Sequence, residues 1–66
     1  MVEGVVSWFD SCRGTGGIVA DDGAEFPVRA SGIVGGGRQS LRPGDRVVFV
    51  LFVGPDGAAA SDVYVP

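Results

Sequence analysis

The stretch Thr15-Gly16-Gly17-Ile18-Val19-Ala20-Asp21-Asp22-Gly23 decides the fold class, because a strand and a tight turn follow one another within it. Residues 15–20 include β-branched side chains that suit a pleated surface. Residues 21–23 have the composition of a short hairpin turn. We therefore predict a strand over 15–20 that turns directly into an antiparallel partner.

The same alternation of apolar segments and turn residues continues along the 66-residue chain, without a helical period. The predicted strands are 2–9, 15–20, 25–29, 46–53 and 58–65. Pro27 removes one ladder hydrogen bond from the third strand, which predicts an edge or outward-bonding position for it. Five short strands in one small domain predict an all-β fold. A five-stranded antiparallel closed β-barrel is favoured because closure removes exposed edges.

The residue inventory excludes most kinds of catalysis. The chain has one cysteine, Cys12, and no histidine. A single thiol forms no intramolecular disulfide, and without other thiols or imidazoles it builds no metal site. A nucleophilic cysteine also needs a base, and no imidazole is present to act as one. We therefore predict that the protein is not an enzyme and uses neither a metal nor a cofactor.

Charge and hydropathy limit the partners. No apolar run reaches the length of a membrane span, and the first residues lack the order of a signal peptide. A cytoplasmic protein without membrane contact is therefore expected. The net charge of −3 argues against binding by bulk attraction to phosphate. It leaves open binding in which bases stack on aromatic rings.

The fourth predicted strand is apolar on both faces. Its odd positions, Val47, Phe49, Leu51 and Val53, share one face, and its even positions, Arg46, Val48, Val50 and Phe52, share the other. The turn before the strand and its start at Arg46 favour the odd set as core. The even set is then partly exposed and unusually apolar.

Five segments carry a family likeness: GVVSWF at 4–9, RGTGGI at 13–18, FPVRASGI at 26–33, LRPGDRV at 41–47 and GPDGAAASDV at 54–63. In this order and spacing the chain resembles the bacterial cold-shock proteins from end to end. The resemblance implies an OB-fold barrel, the cold-shock domain, that binds single-stranded DNA and RNA. Many members of that family act as RNA chaperones that melt weak hairpins. The resemblance also implies a core position for Phe26, where the family has an aliphatic residue.

The chain departs from the family pattern where the family stacks bases. The usual Lys-Trp-Phe is Ser7-Trp8-Phe9, so both rings are present and the cation is absent. Thr15 and Gly17 stand where the first RNA-binding motif has phenylalanines. The second motif and the loop after it hold further replacements: Pro27, Arg29, Ala30 and Arg38. Because one stacked base contributes roughly 1–3 kcal/mol, these replacements predict weak or altered binding.

The predicted nucleic-acid-binding residues combine the remaining rings with nearby arginines: Trp8, Phe9, Arg13, Arg29 and Arg38. Guanidinium groups stack on bases and contact phosphates. Two alternatives stay open, namely that Phe9 belongs partly to the core while Trp8 merely covers the barrel, and that the arginines are ordinary solvated charges. The predicted function is single-stranded RNA or DNA binding, as an RNA chaperone or a regulator of transcription or translation.

A second interpretation uses a different surface, formed by Val5, Val48, Val50 and Phe52. The family has charged or polar residues at several of these positions. If the first and fourth strands pair, Val5 and Val48 join one exposed apolar patch, and such patches often mark partner surfaces. The module would then have lost nucleic-acid binding and would act through a protein partner or as a homodimer. The alternative is a register that buries some of these side chains.

Overall fold

The computed structural model describes residues 1–34 and 41–66. Its strands are β1 (Val2–Asp10), β2 (Thr15–Ala20), β3 (Glu25–Arg29), β4 (Arg46–Gly54) and β5 (Gly57–Tyr64), with a 3-10 turn at Ala30–Gly32. β2 and β3 have the predicted bounds, and the ends of the other strands lie within one residue of prediction. None of the described residues form a helix with the length and hydropathy of a membrane span.

The five strands form one antiparallel sheet in the order β3-β2-β1-β4-β5. β3 is an edge strand, as Pro27 predicts. β3 and β5, the two ends of this order, lie in contact, but no ladder joins them among the described residues. The predicted five-stranded antiparallel sheet is therefore confirmed, but its closure into a barrel is not. Pro27 has no backbone N–H, so β3 lacks one hydrogen-bond donor at the edge where the sheet would close.

The segment after the 3-10 turn bridges part of the gap between these edges. Ile33 pairs in parallel with Val63 of β5, and the N–H of Val34 donates to the Val63 carbonyl at 2.8 Å. Ile33 is itself buried in the core. The seam between β3 and β5 is therefore held at one end by this segment.

The core lies on the inner side of the sheet. The most deeply buried large side chains are Val6, Ile18, Val28, Val47, Phe49 and Val63. The ring of Phe26 packs against Phe49 with 6.0 Å between ring centroids. The core position implied for Phe26 is therefore met only in part, since Phe26 is half-buried and packs against the core without belonging to its buried cluster.

The predicted core face of β4 is right for its first half and wrong for its second. Val47 and Phe49 are buried, whereas Leu51 is 41% and Val53 is 72% exposed. The cause is the register of β1, which pairs with β4 only as far as Phe49, opposite Val2. Beyond Phe49, β4 continues as a hairpin with β5, and its side chains lie outside the core. Alternation identifies the two faces of a strand but not the point where the core ends.

Candidate nucleic-acid interface

Trp8 reaches solvent because β1 contains a bulge just before it. Val6 lies opposite Ile18 and Trp8 lies opposite Gly17, so two residues of β1 match one step of β2. The extra residue shifts the alternation of side chains along the strand. Trp8, which simple alternation from the buried Val6 would turn inward, is therefore 47% exposed. Phe9 is instead partly buried and packs against the core.

The indole of Trp8 covers the backbone of Gly17. A Cβ atom at Gly17 would lie 2.5 Å from the indole Nε1 and 3.1 Å from its Cδ1. The ring therefore occupies the space that a side chain at position 17 would need. The absence of a side chain at Gly17 lets Trp8 lie close to the sheet while part of its surface stays open to solvent.

Trp8, Gly17 and Pro27 form one row across the first three strands, called here the Trp8 row. Trp8 pairs with Gly17, and Gly17 pairs with Pro27. Neighbouring strands lie about 4.8 Å apart, so the row is about 10 Å long. It opens on a shallow cavity of about 330 Å³ lined by Trp8, Gly16, Gly17, Glu25, Phe26 and Pro27. The exposed indole and the neighbouring proline make this a suitable contact surface for an unpaired base.

Arg13 lies at the end of the β1–β2 turn, where Asp10 organises the backbone. The Asp10 carboxylate accepts hydrogen bonds from the N–H groups of Cys12 at 3.0 Å and Arg13 at 3.2 Å. Its second oxygen lies 3.8 Å from Arg13 Nε, in an ion pair whose Arg13 side chain is 83% exposed. Exposed pairs of this kind are weak. Arg13 is therefore partly neutralised but accessible.

Arg29 lies two residues beyond Pro27 on β3, and so on the same outer face. Its side chain is exposed, and it forms no ion pair with any residue in 1–34 or 41–66. The N–H of Ala30 donates to the Gly14 carbonyl at 2.8 Å, which brings the end of β3 beside the turn that carries Arg13. The remaining predicted residue, Arg38, lies outside the described residues.

The predicted partner surface is divided by the structure. Val5 and Val48 are half-buried, and Val50 and Phe52 are exposed. β1 and β4 do pair, with Val5 opposite Arg46 and Glu3 opposite Val48, so charged groups share this part of the sheet. Arg46 Nη2 lies 3.7 Å from Glu3 and 3.6 Å from Asp21. The apolar surface is therefore concentrated farther along β4.

Sequence reasoning missed a larger groove along the seam between β3 and β5. This seam groove has a volume of about 540 Å³, and its lining includes Pro27, Arg29, Phe52, Asp56, Ala59 and Ser61. Neither Phe52 nor the alanines of β5 indicate from sequence that β3 forms the opposite wall of this groove. The only sequence signal is the small side chain of Ala59, which lies opposite Phe52 and leaves space above β5.

The surface is suited to stacking and weak ionic contact. The described residues contain no cluster of three acidic, cysteine or histidine side chains placed to hold a metal ion. The one cysteine, Cys12, is exposed and unpaired with another thiol.

A family model, the 'Cold-shock' DNA-binding domain, matches residues 2–66. The chain is 37% identical over 62 residues to the major cold shock protein CspA of Pseudomonas aeruginosa, covering 94% of this chain and 90% of that protein. It is 38% identical over 64 residues to a cold shock-like protein of Thermotoga maritima, covering 97% of each. It is 46% identical over 55 residues to cold shock protein 1 of Arabidopsis thaliana, covering 82% of this chain but 18% of the plant protein.

Proposed function

Since the chain belongs to the 'Cold-shock' DNA-binding domain family, we propose that it binds single-stranded RNA or DNA on the outer face of β1–β3. Nucleic-acid binding, and not catalysis, is the property of the family as a whole. The finer proposal is that this chain binds weakly, through Trp8 and neighbouring arginines. Its cellular role is that of an RNA chaperone or a regulator of transcription or translation.

The observation that carries this proposal is the outward indole of Trp8 beside Pro27 in the Trp8 row. A base stacked on one aromatic ring contributes roughly 1–3 kcal/mol whatever its sequence, because every base has a π face. Phe9 contributes less to stacking, since it is partly buried and packs against the core. Stacking on a single exposed ring, that of Trp8, supports weak binding that tolerates different base sequences.

The arginines supply the ionic part of the proposed contact. Arg29 is exposed beside Pro27, and Arg13 lies at the neighbouring turn. Glu25 lines the same shallow cavity as Trp8, and the chain as a whole carries a charge of −3. Attraction to phosphate is therefore local and small, so we expect binding to be detectable chiefly at low salt.

A titration of Trp8 fluorescence with oligothymidylate at low ionic strength tests the proposal. Stacking of a base on the indole will quench its emission, and a parallel titration of free N-acetyltryptophanamide serves as the control for inner-filter effects. Saturable quenching at micromolar oligonucleotide is the expected result. Unchanged emission at high micromolar oligonucleotide and low salt would refute nucleic-acid binding at this face.

A second candidate function is self-association through the β4 strip, defined as Val50–Val53. All four side chains are apolar and exposed, and β4 runs past the end of its pairing with β1 at Phe49. An apolar strand edge of this kind is a template for pairing with another chain. Sedimentation velocity over a wide concentration range tests it: a monomer at every concentration, with clear oligonucleotide binding, would discard it.

A further inference from the structure

The seam groove combines an aromatic ring and a cation outside the Trp8 row. β5 lies between β4, with which it pairs, and β3, which it contacts. Phe52 pairs with Ala59 across β4 and β5, and the small alanine leaves the phenylalanine ring without a tall neighbour on that strand. Pro27 and Arg29 of β3 line the opposite side of the groove.

The ring of Phe52 is held by its own strand and remains accessible. A Cβ atom at Gly54 would lie 3.0 Å from Phe52 Cε2, so the ring leans over the bare backbone of Gly54. Phe52 is nevertheless 59% exposed. The same arrangement holds Trp8 over Gly17. Each exposed ring therefore lies against a glycine and keeps much of its surface open to solvent.

Pro27 connects the two surfaces, because it lines both the shallow cavity of the Trp8 row and the seam groove. A strand of nucleic acid placed on Trp8 and Pro27 therefore reaches the seam groove without leaving the protein surface. Arg29 lies at this junction with its charge unpaired among the described residues. Asp56 lines the groove as well, so the balance of charge favours a base in the groove over a phosphate.

We propose that the seam groove is a second nucleobase site, in which Phe52 stacks an unpaired base and Arg29 contacts the adjoining phosphate. This inference rests on the proposed function and extends it. The bound single strand would run from Trp8 over Pro27 and across the junction of β3 and β5. Phe52 of β4 would thereby supply part of the aromatic contact that β2 and β3 lack relative to the family pattern.

Binding of oligothymidylates of about four and about eight nucleotides tests this site, because single OB folds cover about 4–16 nucleotides. We expect Phe52→Ala to weaken binding of the longer oligonucleotide about tenfold, within the range for loss of one stacked base. Binding of the shorter one, which the Trp8 row accommodates alone, will be nearly unchanged. The matched control is Val53→Ala, since Val53 is exposed on the opposite face of the same strand, and it should affect neither.

A reporter at the site gives an independent measurement. In a Trp8→Phe, Phe52→Trp double variant, the longer oligonucleotide should quench the new indole and the shorter one should quench it much less. Circular dichroism will check that each variant keeps the fold, as expected for an exposed position.

The outcomes separate the two proposals. If oligonucleotides quench Trp8 in the natural chain but Phe52→Ala binds the longer one with unchanged affinity, the second site is refuted and the proposed function stands. If no oligonucleotide quenches Trp8, the proposed function itself fails. If Phe52→Ala alters the sedimentation coefficient but not the affinity, Phe52 serves contacts between copies of the chain and the second base site is again refuted.

Discussion

The Trp8 row and the β4 strip are both exposed parts of one sheet, yet they differ in character: the row lies on the outer face, whereas the strip presents side chains on both faces of β4. The row across β1–β3 has one large ring, Trp8, beside a glycine and a proline. The β4 strip has four consecutive apolar side chains, all more than 40% exposed. Apolar surface is therefore sparse where the family stacks bases and plentiful on the neighbouring strand.

Different neighbours determine the exposure of the two surfaces. Trp8 is exposed because of the bulge after Val6 and the missing side chain at Gly17. The β4 strip is exposed because β1 ends its pairing at Phe49 and nothing in the described chain covers the continuation. All five strands contribute buried side chains to one core on the inner side of the sheet, and on β4 that core ends at Phe49.

The largest expected effect separates buried from exposed positions on one face of β4. Phe49→Ala removes a fully buried ring and should lower the free energy of unfolding by about 3–5 kcal/mol. A domain of 66 residues has roughly 3–10 kcal/mol in total, so the variant will be largely or wholly unfolded. Urea unfolding followed by circular dichroism measures the change.

Leu51→Ala is the matched control, because Leu51 alternates with Phe49 yet is 41% exposed. We expect it to cost less than about 1.5 kcal/mol, since little buried surface is lost. Equal losses at the two positions would show that the core extends along β4 and that the strip is covered.

The next effect concerns the two adjacent glycines opposite Trp8 and Phe9. A Cβ atom at Gly16 would lie 2.6 Å from the Trp8 carbonyl oxygen and 2.5 Å from Phe9 Cδ1, and backbone cannot move aside easily. Gly16→Ala should therefore destabilise the fold by about 1–3 kcal/mol. At Gly17 the close atoms belong to the movable indole, so Gly17→Ala should cost less than about 1 kcal/mol.

Thermal unfolding of the two variants compares these costs directly. The expected order is a clearly lower Tm for Gly16→Ala and a small change for Gly17→Ala, with altered Trp8 emission only where the indole is displaced. The reverse order would mean that the indole is fixed in place and that the backbone at Gly16 adapts.

A gain of binding is expected when a ring is added to the Trp8 row. Gly17→Phe should push the indole outward and place a second aromatic surface beside it, raising affinity for oligothymidylate about tenfold. Gly17→Leu displaces the indole equally but adds no ring, so it should raise affinity much less. Equal affinities for the two variants would show that stacking at this position does not limit binding.

The smallest effect concerns the position of charge. Arg29→Ala should reduce the slope of log affinity against log salt by about 0.7, the value for one phosphate contact on a single strand. Arg46→Ala removes the same charge from a site where Glu3 and Asp21 lie within 4 Å of the guanidinium, and it should leave the slope unchanged. Identical slopes for both variants would indicate that only net charge matters.

Much of the fold was accessible from sequence, because turn residues and β-branched segments specify strands locally. All five strands were predicted to within one residue at their ends, and Pro27 correctly indicated an edge. The exposure of Leu51 and Val53 was not accessible, since it depends on where β1 stops pairing with β4. Closure of the sheet likewise depends on distant strands, and no ladder joins β3 to β5 among the described residues.

For the candidate site, the sequence predicted which residues contribute but not how most of them are arranged. Trp8 and Arg29 were predicted on one face, and the structure places them there, at the two ends of a path through Pro27. The cover of Gly17 by Trp8 was not predictable, because it requires the bulge between Val6 and Trp8. The role of Phe52 in the seam groove was missed for a similar reason, since β3 and β4 are far apart in sequence.

The most direct test of nucleic-acid binding at the Trp8 row is a nitrogen-15 NMR titration with an eight-nucleotide oligothymidylate at low salt. Our proposal predicts the largest shifts for the indole N–H of Trp8 and the amides of Gly17 and Arg29, with the Arg46 amide unaffected. Unchanged Trp8 and Gly17 resonances in the presence of excess oligonucleotide would contradict it.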